Sequence, residues 1–183
     1  MKRKSLSVTK KTLNFYLTKL KDPQVRKLYN LFSNNLASMD LTHKKIMVGV
    51  SGGADSLAVL FFSQCYALKH HSKLYPVIID HKLRKESTIE AKNLKYKLKQ
   101  NFKINCKILS KKIVKINKNI QSYARDLRYD LFFEECNKQK IDYLILGHHK
   151  DDLIENFFIR FLRGSGLKGC LLYTSPSPRD ETK

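Results

Sequence analysis

Ile46-Met47-Val48-Gly49-Val50-Ser51-Gly52-Gly53-Ala54-Asp55-Ser56 is the stretch whose reading decides the fold. Residues 46–50 form a short apolar run that reads as a buried strand. The glycines behind it let the backbone turn tightly and approach a ligand closely. From Ser56 to Leu68 the chain is apolar on several faces, as expected of a helix packed on a sheet. A strand, a tight turn and a helix open a βαβ unit.

The same alternation continues downstream. Residues 76–79 begin a second buried strand, with Pro76 at its first position, where a missing N–H is tolerated. Residues 90–100 read as a lysine-rich helix with Leu94 and Leu98 inward. Ile104, Cys106 and Ile108 alternate with polar residues and suggest a third strand. Ile120, Ala124, Leu127 and Leu131 mark a helix running to about Lys138, and residues 143–146 a fourth strand. Ile154, Phe157, Phe158, Phe161 and Leu162 make a helical stripe that stops near Gly164. Upstream, Asp22-Pro23 reads as a helix start, with Asp as N-cap and Pro in the first turn. Val25, Leu28, Tyr29, Phe32 and Leu36 follow at helical spacing. Strands alternating with helices predict an α/β fold with a doubly wound parallel sheet. Ligands of such sheets bind beyond the C-terminal strand ends. Residues 51–56, 80–81 and 147–152, which all follow strands, are therefore expected to share a cleft.

The chemistry of these segments supports that placement. Ser51, Gly52, Gly53, Ala54, Asp55 and Ser56 form a cradle for phosphate oxygens, using hydroxyls and the free N–H groups of a helix N-terminus. No Gly-Lys-Ser/Thr follows, so this is not a Walker loop. A carboxylate at Asp55 would repel phosphate, which suggests a bridging magnesium ion; read structurally, Asp55 merely caps the helix. Asp80 and His81 sit at a strand end facing the expected cleft, although alone they fit an ordinary polar loop. Arg125 and Arg128 lie three residues apart on one helix face, where they could clamp phosphates or pair with Asp126 or Glu135. Asp152 and Glu155 share a face of a helix start, as paired oxygens for magnesium or for aligning and deprotonating an amine. His148 and His149 precede them as proton carriers or phosphate donors. Residues 160–169, RFLRGSGLKG, combine basic residues with flexible glycines, which suits RNA phosphates, a nucleotide, or a plain helix C-cap.

Composition adds direction. The 183 residues, 42% hydrophobic and 10% aromatic, support one folded domain. Lys and Arg total 36 against 16 Asp and Glu, a formal charge of +20 that attracts polyanions. Residues 92–118 hold ten lysines and no acid, and residues 1–45 hold eleven basic residues against Asp22 and Asp40. These are two basic surfaces, either solvated faces or a path that tracks phosphates. Cys65, Cys106, Cys136 and Cys170 form no CxxC pair, which argues against zinc or iron–sulfur spacing and fits a reduced, cytoplasmic setting. No apolar run approaches the length of a membrane span, so no membrane partner is expected, and a homodimer is left open.

SGGADS resembles the pyrophosphate-loop signature SGGxDS, whose bearers cleave ATP between the α- and β-phosphates. The ordered series SGGADS, IDHKLRKES, NIQSYARDLRY and GHHKDDLIENFFIRFLRGSGLKG resembles the tRNA(Ile)-lysidine synthetase family over roughly residues 44–169. The resemblance implies an adenine nucleotide α-hydrolase-like, three-layer α/β/α domain. It implies that ATP adenylates the wobble cytidine of an isoleucine tRNA with a CAU anticodon, and that free L-lysine then displaces AMP to form lysidine. It gives ATP-binding roles to residues 51–56, Asp80, His81, His148 and His149, and catalytic roles to Asp55, Arg125, Arg128, Asp152 and Glu155. Magnesium would be held by Asp55 and Asp152. The expected organisation is a basic extension over residues 1–21, a catalytic domain over 22–170 and a disordered or non-native tail over 171–183. Members of that family continue well past GSGLKG, whereas TSPSPRD looks like translated junction sequence, so the domain is expected to be cut short. The alternatives are another ATP-pyrophosphatase (a tRNA thiolation enzyme or an amide-forming synthetase) or a catalytically incomplete RNA-binding fragment.

Overall fold

The computed structural model describes residues 10–84, 86–111 and 120–147. The chain divides after Asp40 into two compact units. The first holds α1 (Lys10–Lys19) and α2 (Pro23–Ala37). α2 begins as its sequence predicts: Oδ1 of Asp22 accepts from the Gln24 N–H at 2.8 Å and the Val25 N–H at 3.1 Å, with Pro23 at the first helical position. Tyr29, Phe32 and Leu36 form its buried stripe.

The second unit runs β1 (Lys45–Gly49), α3 (Ala54–Lys69), β2 (Lys73–Asp80), α4 (Ser87–Phe102), β3 (Lys107–Ser110), α5 (Ile120–Gln139) and β4 (Tyr143–Leu146). All described strand pairs are parallel, in the order β3-β2-β1-β4. The first two crossovers step one way along the sheet, and the third steps back past β1. Right-handed crossovers therefore put α3 and α4 on one face and α5 on the other. This is the doubly wound, three-layer α/β/α arrangement expected from the sequence.

Side chains alternate across the sheet accordingly. Met47, Val77 and Leu144 pack with Tyr129, Phe132 and Cys136 of α5. The intervening positions Ile46, Val48, Ile78 and Ile145 are buried as well, as a sheet covered on both faces requires.

Two strands differ from their sequence reading. β2 starts at Lys73, so Pro76 lies inside it rather than at its first residue. The Val77 carbonyl accepts from the Val50 N–H at 2.8 Å, and Lys73 donates to the Lys44 carbonyl at 2.8 Å. Odd positions thus face β1, and the donor missing from Pro76 faces β3, where pairing begins only at Val77↔Lys107. The third strand starts at Lys107, after Ile104 and Cys106, which are buried without being paired. Lys103 in the left-handed region (φ 56) ends α4, and the chain turns through Ile104 and Cys106 before reaching the ladder. The helix expected over residues 154–162 lies outside the described residues.

Candidate phosphate-binding cleft

The strand order reverses between β1 and β4, and a cleft of ≈ 540 Å³ opens at their C-terminal ends. Gly49, Val50, Leu146 and Gly147 form its floor. Ser51, Gly52 and Ser56 line one side, His81, Leu83, Arg84 and Ser87 another, with Ala91 and Leu94 of α4 and Arg128 and Phe132 of α5 closing it.

The loop after β1 is organised by one hydroxyl. Ser56 is 3% exposed. Its Oγ accepts from the Ser51 N–H at 3.3 Å, the Gly52 N–H at 3.2 Å and the Ser51 hydroxyl at 3.1 Å, and donates to the Gly53 carbonyl at 2.9 Å. Ser56 therefore shapes the cradle from within, a role that residue type alone does not reveal. Gly52 sits at φ 90, and a Cβ there would lie 3.2 Å from Leu94 Cδ2. Gly53 is the N-cap of α3 and brings no side-chain acceptor, in contrast to Asp22 on α2. The first-turn N–H groups of α3 thus have no capping side chain, and the positive end of the helix dipole faces the loop. Asp55 stands exposed in that first turn.

Two glycines on the floor are fixed by close packing. A Cβ on Gly147 would lie 2.9 Å from both the N and the Cα of Ser56, so β4 meets the backbone of the loop helix directly. A Cβ on Gly49 would collide with the Leu146 side chain and lie 2.7 Å from the Phe132 ring. Gly49 went unremarked in the sequence reading; a glycine inside a strand is the usual signal of such an approach.

Asp80 and His81, adjacent in sequence, do different work. Asp80 is 2% exposed and does not line the cleft. Its Oδ1 accepts from the Lys82 N–H at 2.9 Å and the Ser87 hydroxyl at 2.9 Å, and its Oδ2 from the Thr88 hydroxyl at 2.7 Å. Burial pushes its carboxyl up. The Thr88 hydroxyl, the Lys82 N–H, the Ser87 hydroxyl and the Lys82 charge outweigh that, and the carboxyl ends below its ordinary value. Asp80 thereby ties the β2–α4 loop to the start of α4. His81 lines the cleft, and its Nδ1 is buried without a protein hydrogen-bond partner. Burial and then the Arg128 charge lower its pKa, against an opposing pull from Asp80, so the imidazole is held neutral.

Of the two arginines on α5, Arg128 lines the cleft and Arg125 does not. The structure thus brings together Ser51, Gly52, Ser56, His81 and Arg128, while Gly53, Ala54 and Asp55 are exposed where the loop enters α3. His148, His149, Asp152, Glu155 and the segment 160–169 lie outside the described residues. Among the described residues no group of three or more His, Cys, Asp or Glu could hold a metal ion, and no helix is long and apolar enough to cross a membrane. Cys65, Cys106 and Cys136 are buried free thiols. Burial pushes Cys65 and Cys106 up to about 12 and, with Glu135 and Asp142, Cys136 to about 11.

Comparison with known proteins agrees with this geometry. A family model described as a PP-loop domain matches residues 20–180. The tRNA(Ile)-lysidine synthase of Orientia tsutsugamushi (strain Boryong) is 43% identical over 125 residues, which cover 68% of this chain and 28% of that protein. That of Rickettsia rickettsii (strain Sheila Smith) is 35% identical over 148 residues, covering 78% of this chain and 30% of that one. The chain thus spans less than a third of the length of these two relatives. Among solved structures, the U34-tRNA thiolase NcsA from Methanococcus maripaludis, with its 4Fe-4S cluster, shares the fold. The TM-score is 0.56 at 22% identity, over 83% of this chain and 52% of that one.

Proposed function

The chain belongs to the PP-loop domain family, and from that premise we propose that it is the ATP-binding, adenylating part of a tRNA(Ile)-lysidine synthase. The observation that carries the reading is the cleft at the strand-order reversal, where the Ser56-organised loop and the open start of α3 face Arg128 and a neutral His81. The identities to lysidine synthases support the choice of reaction.

In this reading the amides at the start of α3 take the pyrophosphate end of ATP, with Ser51, whose hydroxyl donates to Ser56, shaping the loop beside them. Arg128 offsets the charge that develops on the α-phosphate as the C2 oxygen of the wobble cytidine attacks and pyrophosphate leaves. His81, held neutral, offers its unpartnered Nδ1 to the nucleotide without adding charge. The ε-amine of L-lysine then attacks C2 and AMP departs, with Asp152 and Glu155 positioning the amine. Magnesium fits the residues present: such an ion needs only one or two carboxylates beside the phosphates, and the exposed carboxylate of Asp55 beside an uncapped helix start provides one. When bound, it neutralises phosphate charge. With tRNA as substrate, the reaction belongs in the cytoplasm.

Calorimetric titration with ATP tests the site directly. Arg128→Ala is expected to weaken binding about ten- to a hundredfold, the loss of one charge-assisted hydrogen bond, and Asp55→Ala to abolish the magnesium dependence of binding. Pyrophosphate release that requires both the CAU-anticodon isoleucine tRNA and lysine tests the reaction. Unchanged ATP affinity in Arg128→Ala would remove the site, and release that proceeds with glutamine or ammonia without tRNA would remove the reaction.

A further inference from the structure

None of the lysines after residue 91 lines the cleft, and α4 shows how they are arranged. Ala91, Leu94 and Leu98 form the inward row of the helix: Ala91 and Leu98 are buried, and Ala91 and Leu94 line the cleft. The outward row is Lys92, Tyr96 and Lys99, at successive steps of four and three residues, which place them on one face; Lys103, the left-handed C-cap, follows them, its Nζ donating to the Gln100 carbonyl at 2.7 Å. All four are exposed. Tyr96 is 65% exposed, and Ile89, one step before the row, is 60% exposed. Lys97 lies exposed on the adjoining row, beside Asn93 and Gln100.

No acid occurs between residues 91 and 110. The nearest, Glu90, is engaged with Arg84 at 3.2 Å. An exposed helix usually mixes charges of both signs, because i,i+4 pairs of opposite charge stabilise it and like charges destabilise it. Here every charge on the row is positive and repels its neighbours. The helix dipole favours cations only in the last turn, which accounts for Lys99 and Lys103 and leaves Lys92 unexplained. A two-thirds exposed tyrosine in the middle of the row is the other anomaly. Its ring offers a flat apolar face for stacking while its hydroxyl stays wet.

We propose that the outer face of α4 is an RNA-contact surface, on which Lys92, Lys99 and Lys103 follow the phosphates of a single-stranded segment and Tyr96 stacks on one of its bases. Its placement suits the reaction, because the same helix walls the cleft with its inner row, so a strand lying on the outer row is one helix diameter, about 10 Å, from the nucleotide site. The inference rests on the RNA substrate of the reading above. Charge complementarity selects the partner: an apolar or acidic-peptide partner would account for the tyrosine or for the lysines, and RNA accounts for both.

The test is fluorescence anisotropy with a labelled polyuridine strand, from about 50 to about 200 mM salt, on the full 183-residue chain. Lys92→Gln/Lys99→Gln is compared with Lys69→Gln/Lys140→Gln, which removes the same charge from other surfaces. The α4 pair is expected to lower the slope of log affinity against log salt by about 1.4, roughly 0.7 per lost phosphate contact on a single strand, and the control pair to leave it nearly unchanged. Tyr96→Ala is expected to weaken binding about tenfold and Tyr96→Phe to restore it, since stacking needs the ring and not the hydroxyl. ATP affinity, titrated on the same variants, should stay at the wild-type value. Equal effects of the two lysine pairs, or no effect of Tyr96→Ala, would overturn the surface even if ATP binding and the proposed reaction stand. Unchanged ATP affinity in Arg128→Ala with these RNA results intact would remove the nucleotide site and leave the surface standing.

Discussion

Replacing Ser56 with alanine removes one buried oxygen and leaves the N–H groups of Ser51 and Gly52 and the Ser51 hydroxyl without their acceptor, in a part-buried loop. Unsatisfied groups cost about 1–3 kcal/mol when buried, and the water that reaches Ser51 puts the loss at the low end, about 1 kcal/mol. The loss should appear twice, as a lower unfolding midpoint in urea and as weaker ATP binding in calorimetry. A variant that loses stability but binds ATP normally would show that the hydroxyl only holds the fold. Gly147→Ala acts on the same loop from below. Its added methyl would sit 2.9 Å from backbone atoms of Ser56 that no rotamer change can move aside. Overpacking of this kind costs about 1–3 kcal/mol, and here the strain lands on the phosphate cradle, so ATP affinity should fall along with the melting temperature. Wild-type affinity in Gly147→Ala would mean that β4 and the start of α3 can separate without consequence.

At the scale of elements, α2 and α3 begin in opposite ways, and each beginning suits its task. α2 is closed by Asp22, so Asp22→Ala should destabilise the protein by about 1 kcal/mol in thermal or urea unfolding, while an unchanged midpoint would mean that the cap holds nothing that unfolds cooperatively. α3 begins at a glycine that brings no side-chain cap, which leaves that end of the helix uncovered by its own N-cap residue. Much of this was legible in the residues. Asp22-Pro23, the apolar 46–50 run and the 143–146 strand carry local signals strong enough to place them. Pro76 misled because its position in a ladder depends on when the neighbouring strand starts, which is a property of β3 and not of residues 73–80. The alternation Ile104, Cys106, Ile108 reported burial correctly and pairing wrongly, since two buried positions precede the strand. In the cleft, the residue types near strand ends pointed to Ser51, Gly52 and His81, and the three-residue spacing on α5 to Arg125 and Arg128, of which only Arg128 lines it. Nothing in sequence could show that Asp80 faces away into the Ser87–Thr88 turn, or that Ser56 turns its oxygen on its own loop, because both depend on which way a side chain leaves a strand end or a first helical turn.

At the scale of the whole molecule, two partly buried imidazoles among the described residues, His70 and His81, resist protonation. His81 is depressed by burial and by Arg128, and His70, stacked on Tyr66 at 4.0 Å, by burial and then by Lys69 and His71. Both lie below 6.5 in the folded protein. As the pH falls through 6.5 the unfolded chain takes up protons that the folded chain refuses, so stability declines, and the decline ends only when the folded imidazoles themselves titrate. The melting temperature should therefore drop on acidification from neutrality through this range, and His70→Gln and His81→Gln should each flatten the descent. A slope that survives both substitutions would place the acid sensitivity elsewhere.

The strand order has a consequence in time. β1 has β2 on one side, and its other side stays an open edge until β4 docks. A ribosome delivers the residues that form the cradle early, but their floor arrives only with Gly147, ninety-one positions after Ser56. A nascent chain shorter than that would present a bare strand edge and a loop free to collapse, so the ability to hold a nucleotide should switch on abruptly as the fourth strand clears the exit tunnel, rather than grow gradually with length.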